Sequence, residues 1–160
     1  MNKVNGKKTS FAPIREDGSR ITICYGLKKL SKDLYEWLEV YLHKKQLSQL
    51  TFADVKTAII ADIDERVKTQ IIGGMTWNGK PVWLSIENQL NFSQAVTPVT
   101  LKIGEQEDGT PVYEDFETTE KLAAFCTACN THKQNTLSSG WSEKDAIDWQ
   151  PYESYFNIMA

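Results

Sequence analysis

The stretch from Ile71 to Ala95, IIGGMTWNGKPVWLSIENQLNFSQA, constrains the fold more than any other part of the chain. Gly73-Gly74 can take the positive φ that ends a helix. Met75 to Trp77 then reads as a short strand. Asn78-Gly79 signals a type I′ hairpin turn, in which both central residues adopt positive φ. Lys80 to Leu84 returns as the second strand, with Trp77 and Trp83 placed to pack against each other or against the core. Ser85 can cap the following helix, whose apolar positions Ile86, Leu90 and Ala95 recur at roughly helical spacing. A helix stop, a hairpin and a helix start therefore share one short segment.

Upstream, Thr51 to Ile72 is the clearest helix. Thr51 with Asp54 forms a variant capping box. Phe52, Val55, Ile59, Ile63, Val67 and Ile71 make an apolar stripe at steps of three and four, against which Trp83 is expected to be buried. Downstream, Pro98 to Gly104 and Thr110 to Phe116 read as a second hairpin around a loop ending in Asp108-Gly109. A long helix capped by Thr118 or Thr119 is expected to run to about Ser138, with Leu122, Phe125, Cys126, Cys129 and Leu137 toward the core. Gly140 is expected to end it, and a short last helix opened by Ser142 is expected to close before Pro151.

The first part of the chain is less regular. Met1 to Thr9 reads as an extended arm, Phe11 to Arg15 as a strand, Asp17-Gly18 as a turn, and Arg20 to Leu27 as a strand rich in β-formers. Leu34 to His43 fits either an amphipathic helix or a strand buried on both faces. Charge is uneven: residues 1–32 hold eight Lys or Arg against two acids, and the remainder holds ten against nineteen. A basic arm of this kind suits an acidic docking surface, and Met1 to about Ser19, with Lys3, Lys7, Lys8 and Arg15, is expected to be one. A solvated, lysine-rich terminus is the alternative.

The net charge of −3 does not imply binding to nucleic acid. No segment approaches the ~20 apolar residues that span a bilayer, and no apolar stretch follows the N-terminal lysines as in a signal peptide. Cys126-x-x-Cys129 with His132 has ligand types suited to zinc, but Cys24 and His43 are the only other residues of those types. Core packing of the cysteines is therefore the expectation, with no metal and no cofactor. The run Glu105 to Glu120 holds seven carboxylates and no base, and reads as a solvated hairpin or an acidic docking surface. No nucleophile, phosphate-loop or metalloprotease motif is present, so binding is expected over catalysis. Five Trp and six Tyr exceed what a core of this size needs. The surplus near the C-terminus (Trp141, Trp149, Tyr152, Tyr155 and Phe156) is the second candidate interface.

The helix ending near Gly73-Gly74, the Trp77-Asn78-Gly79 hairpin and Ser85-x-Glu87-Asn88-Gln89-x-Asn91 resemble a domain of unknown function. That domain is found in tail-fibre and tail-assembly proteins of tailed phages and prophages. The similarity continues through Pro98 to Lys102, Asp108-Gly109, the helix after Phe116 and Gly140-Trp141, covering roughly Thr51 to Tyr152. TWNGKPVWLSIENQ is similar to the variant in gut Bacteroides-type bacteria and their phages. With the aromatic enrichment, the resemblance favours strand for Leu34 to His43.

The expected fold is α+β, with small antiparallel hairpins packed against a central and a C-terminal helix. Its expected parts are an N-terminal arm and β segment (1–50), a phage tail-protein-like domain (51–152) and a tail (153–160). The resemblance implies a structural or assembly component of a tailed phage or prophage particle, made in the bacterial cytoplasm and carried in the virion. Its expected partners are other phage structural proteins and further copies of itself, with no membrane and no direct nucleic-acid contact. An assembly chaperone that leaves the finished particle, or a small cytoplasmic phage enzyme or anti-defence protein, are the alternatives.

Overall fold

A computed structural model describes residues 2–18, 20–43 and 47–159. Met1 and Ser19 of the expected arm, the side chain of His43 and Ala160 of the tail lie outside the described residues. The chain is α+β and forms two compact units, Met1–Arg66 with Ser142–Ala160, and Val67–Trp141. These divisions differ from the expected boundaries after residues 50 and 152.

The first unit carries a four-stranded antiparallel sheet of β1 (Asn2–Gly6), β2 (Ile14–Asp17), β3 (Arg20–Lys29) and β4 (Tyr35–His43), in the order β1-β4-β3-β2. The segment expected to be a loose arm is instead the edge strand β1, paired with β4 from Asn2 opposite Glu39 to Gly6 opposite Tyr35. Gly6 is fitted to that place, because a Cβ there would meet the Trp37 ring at 2.7 Å. β2 begins at Ile14, later than expected, and the Leu34 to His43 segment is strand from Tyr35.

Residues 21–25 of the central strand β3 are all buried, so its alternating side chains are covered on both faces. On one face, Ile21 and Ile23 precede Tyr25, whose hydroxyl donates to Asp62 of α1 (Phe52–Gly73) at 2.5 Å. Val55, Ile59 and Ile63 of α1 are fully buried. The Thr51 cap forms as expected: Asp54 Oδ2 accepts from the Thr51 backbone at 2.8 Å, and the Asp54 backbone donates to Thr51 Oγ1 at 3.2 Å. The expected tail is helix α4 (Gln150–Met159). Pro151 starts that helix, because a missing N–H costs nothing in the first turn.

The second unit takes in the rest of α1 and then β5 (Met75–Trp77), β6 (Lys80–Val82), α2 (Ile86–Gln94), β7 (Val99–Glu105), β8 (Pro111–Phe116) and most of α3 (Thr119–Asp145). The β5-β6 turn has φ of +49° at Asn78 and +78° at Gly79, as a type I′ turn requires. At Gly74 the chain reverses with φ +78°, and a Cβ there would lie 1.7 Å from the Val82 carbonyl oxygen. Only glycine fits. The Trp83 backbone N–H donates to Ile103 at 2.8 Å, carrying the hairpin onto β7. Val82, Leu84, Phe92, Phe116 and Phe125 are central to the core, and the Trp77 ring packs edge-on against Phe125 at 5.4 Å.

Two expectations fail here, for Trp83 and for Gly140, and α2 turns its spaced aliphatic residues outward. Val82 and Leu84 both point inward, which turns Trp83 to the other side, 42% exposed, instead of burying it against α1. Helix α2 buries Phe92, so Ile86 and Leu90 face outward. Helix α3 continues through a buried Gly140 to Asp145. Glycine costs a helix interior only about 1 kcal/mol, too little to stop a helix whose neighbours hold it.

Candidate binding groove

Local chemistry positions α2. Ser85 Oγ accepts from the Asn88 backbone at 3.2 Å, the cap expected at the helix start. The Asn88 side chain reaches back to the Trp83 carbonyl at 3.0 Å, and the Gln89 amide donates to the Leu84 carbonyl at 2.7 Å. These bonds fix the entry angle of the helix. Its inner side then meets α3, where Cys126 Sγ lies 3.5 Å from the Phe92 carbonyl and Lys133 Nζ lies 3.4 Å from Gln89 Oε1.

Between α2 and α3 lies a cavity of about 380 Å³. Leu84, Phe92 and Cys129 are buried in its floor. Ile86 and Leu90 stand at its rim, 74% and 54% exposed. They are one helical turn apart and share a face. Two large aliphatic side chains left in water beside a concavity are the strongest sign of a binding surface in this unit.

The residues singled out in the sequence fall elsewhere. Lys3 lies on β1, its Nζ 2.9 Å from Glu36, while Lys7 and Lys8 are exposed in the turn that follows. Arg15 is engaged within the sheet, on Asp17 at 3.0 Å and Glu39 at 2.9 Å. Tyr152 is buried and donates to the Cys24 carbonyl at 2.6 Å, so it holds the first unit together. Trp149 and Phe156 pack around Phe52 with ring centroids 6.1 and 6.3 Å away, and Tyr155 meets Phe156 edge-on at 5.3 Å. Much of the C-terminal aromatic surplus is thus used to dock α4. Trp141 differs: it belongs to the second unit and is 56% exposed.

A carboxylate that the sequence reading passed over sits at the centre of the first unit. Glu39 is 5% exposed and accepts from Arg15 at 2.9 Å, the Tyr41 hydroxyl at 3.0 Å and the Trp37 indole N–H at 3.2 Å. Burial alone would raise its pKa; the bonds from Trp37, Tyr41 and Arg15 outweigh that and hold it below the usual range. The signal was present in the alternation of β4: a residue flanked at ±2 by Trp37 and Tyr41 must share their face. Opposite it, burial pushes the Cys24 thiol up to about 12.

The acidic hairpin is partly neutralised by its own unit. Glu114 is buried, with Lys80 at 2.5 Å and Lys121 at 2.7 Å, and the bonds from Lys121 and Lys80 lower its pKa. Glu105 pairs with Lys102 at 2.5 Å. Burial raises Cys126 and, to about 11, Cys129. His132 Nε2 lies 3.4 Å from the Gln70 carbonyl. No group of three or more metal-ligating side chains gathers among the described residues, and no helix there is long and apolar enough to cross a membrane. What the geometry defines is an α+β protein with an apolar groove between two helices. No known protein family, curated protein or solved structure matches the chain.

Proposed function

We propose that the protein is a structural or assembly component of a tailed phage or prophage particle, acting by protein–protein binding. One observation carries this reading. The segment that bears the resemblance to phage tail proteins, Ile71 to Ala95, is also the one that presents Trp83, Ile86 and Leu90 to solvent. Exposed apolar side chains on a folded unit mark contact surfaces, and particle assembly supplies partners to cover them. Each copy would contribute the same surface, as repeated virion components do.

The test is mass spectrometry of purified virions from a phage or prophage that encodes the chain. A fixed stoichiometry in washed particles is the expected result. Presence only in assembly intermediates would make it a chaperone. Absence from both would overturn the reading. Ile86→Lys combined with Leu90→Lys should fold normally and fail to enter particles.

A further inference from the structure

The groove holds more than an exposed rim. Its lining is mostly apolar at one end, where Cys126 and Phe92 meet and the Ser93 hydroxyl is tied to the Leu90 carbonyl, and polar at the other, where Lys133, Gln89 and Asn130 meet. Cys126 and Lys133 are two turns apart on α3, about 10 Å along its axis. Among the described residues lining the cavity, Lys133 is the single charged side chain. Its polar neighbour Gln89 is a neutral amide, so the lining leaves its charge without an acidic partner. The volume of about 380 Å³ falls in the range of small-molecule sites, which combine apolar walls with a few polar groups that fix orientation.

We infer that this cavity binds a small amphipathic anion, a medium-chain alkyl carboxylate. The chain would lie along Leu84, Phe92 and Cys129, with the carboxylate on Lys133 Nζ. The carboxylate would replace Gln89 Oε1 as the acceptor for that ammonium. An alkyl cation would put its charge against Lys133, and an alcohol would leave the ammonium unpaired. The cavity thereby selects by head-group charge as well as by apolar length. This inference shares the rim residues Ile86 and Leu90 with the phage reading but is tested apart from it, since ligand binding is read on the isolated chain.

The experiment is isothermal titration of the full-length protein with octanoate, decanoate and dodecanoate below their micellar concentrations. Decanol and decyltrimethylammonium serve as controls. Methyl NMR of Leu84, Ile86 and Leu90 locates the site. Each buried methylene should tighten binding roughly fourfold until the cavity is full. Lys133→Gln should weaken decanoate at least tenfold and leave decanol unchanged. Asn130→Trp, an exposed substitution that fills the polar end, should abolish binding with an unchanged melting temperature. Equal affinity for the alkyl cation, or shifts spread over the whole protein, would overturn the proposal. So would decanoate binding that survives both variants, or no binding at all.

Discussion

Glu39→Ala tests the polar centre of the first unit. The substitution removes the acceptor for the Trp37 indole, the Tyr41 hydroxyl and the Arg15 guanidinium. Trp37 is buried, and a buried donor left unsatisfied costs about 1–3 kcal/mol. Removing one partner of a fully buried ion pair costs about 3–5 kcal/mol. Arg15 is a third exposed and keeps Asp17, so its share falls well below that range. Together these give about 3 kcal/mol, or a fall of roughly 6–12 °C in melting temperature for a chain of this size.

Glu39→Gln keeps one acceptor oxygen and should lose about half as much. Because the folded pKa of Glu39 is lowered, its contribution is fully present above the unfolded value of about 4.3. It is lost as pH falls through the lower folded value. The gap between wild type and Glu39→Ala should therefore be constant from pH 6 to 8 and narrow below about pH 4, toward the value set by the neutral side chain. The assay is thermal melting followed by circular dichroism across that range. A Glu39→Ala melt within a degree or two of wild type at pH 7 would refute the reasoning.

Trp83→Ala should cost about 1–2 kcal/mol, below the ~3–5 kcal/mol of a core aromatic, since its ring is only partly covered; a thermal melt checks it. Gly74→Ala should lower stability by roughly 3 kcal/mol or more, because a positive φ and a clash with the Val82 carbonyl act together; urea titration reads the loss. Deleting residues 1–6 removes β1 and uncovers Trp37, which by comparison with large core truncations costs about 3 kcal/mol or more, and should broaden the melt and shift it down. Thiol labelling of the folded protein at pH 8 should reach Cys126 first, with Cys24 and Cys129 reacting only on unfolding, because both are buried and burial pushes their thiols to about 12 and about 11.

The features legible in the sequence are those set by chemistry at fixed offsets. The Thr51 and Ser85 caps, the Asn78-Gly79 turn and the β7-β8 hairpin each need only a few neighbouring residues to be specified. The α1 stripe is likewise local. What escaped depended on distant partners. β1 is short, polar and mostly exposed, and nothing in Asn2 to Gly6 announces that β4 will pair with it. The side to which Trp83 turns was decided by Val82 and Leu84, two aliphatic residues whose burial outweighs one ring. Gly140 resembled a stop because a sequence window does not show whether a helix continues into buried surroundings. The groove was hidden for a related reason: Ile86 and Leu90 carry the periodicity of a core face, and Phe92 takes the core instead.

The first unit is made from both sides of the second, and that arrangement sets a schedule for folding. Residues 67–141 are one continuous stretch that holds the strands and helices of their own core. The first sixty-six residues emerge earlier but must wait for α4, since the Cys24 carbonyl receives its Tyr152 hydroxyl from a residue 128 positions later. Domains generally fold as units during synthesis, N-terminal ones first. Here the N-terminal sheet cannot be the first complete unit, because its hydrogen bond to Tyr152 requires α4.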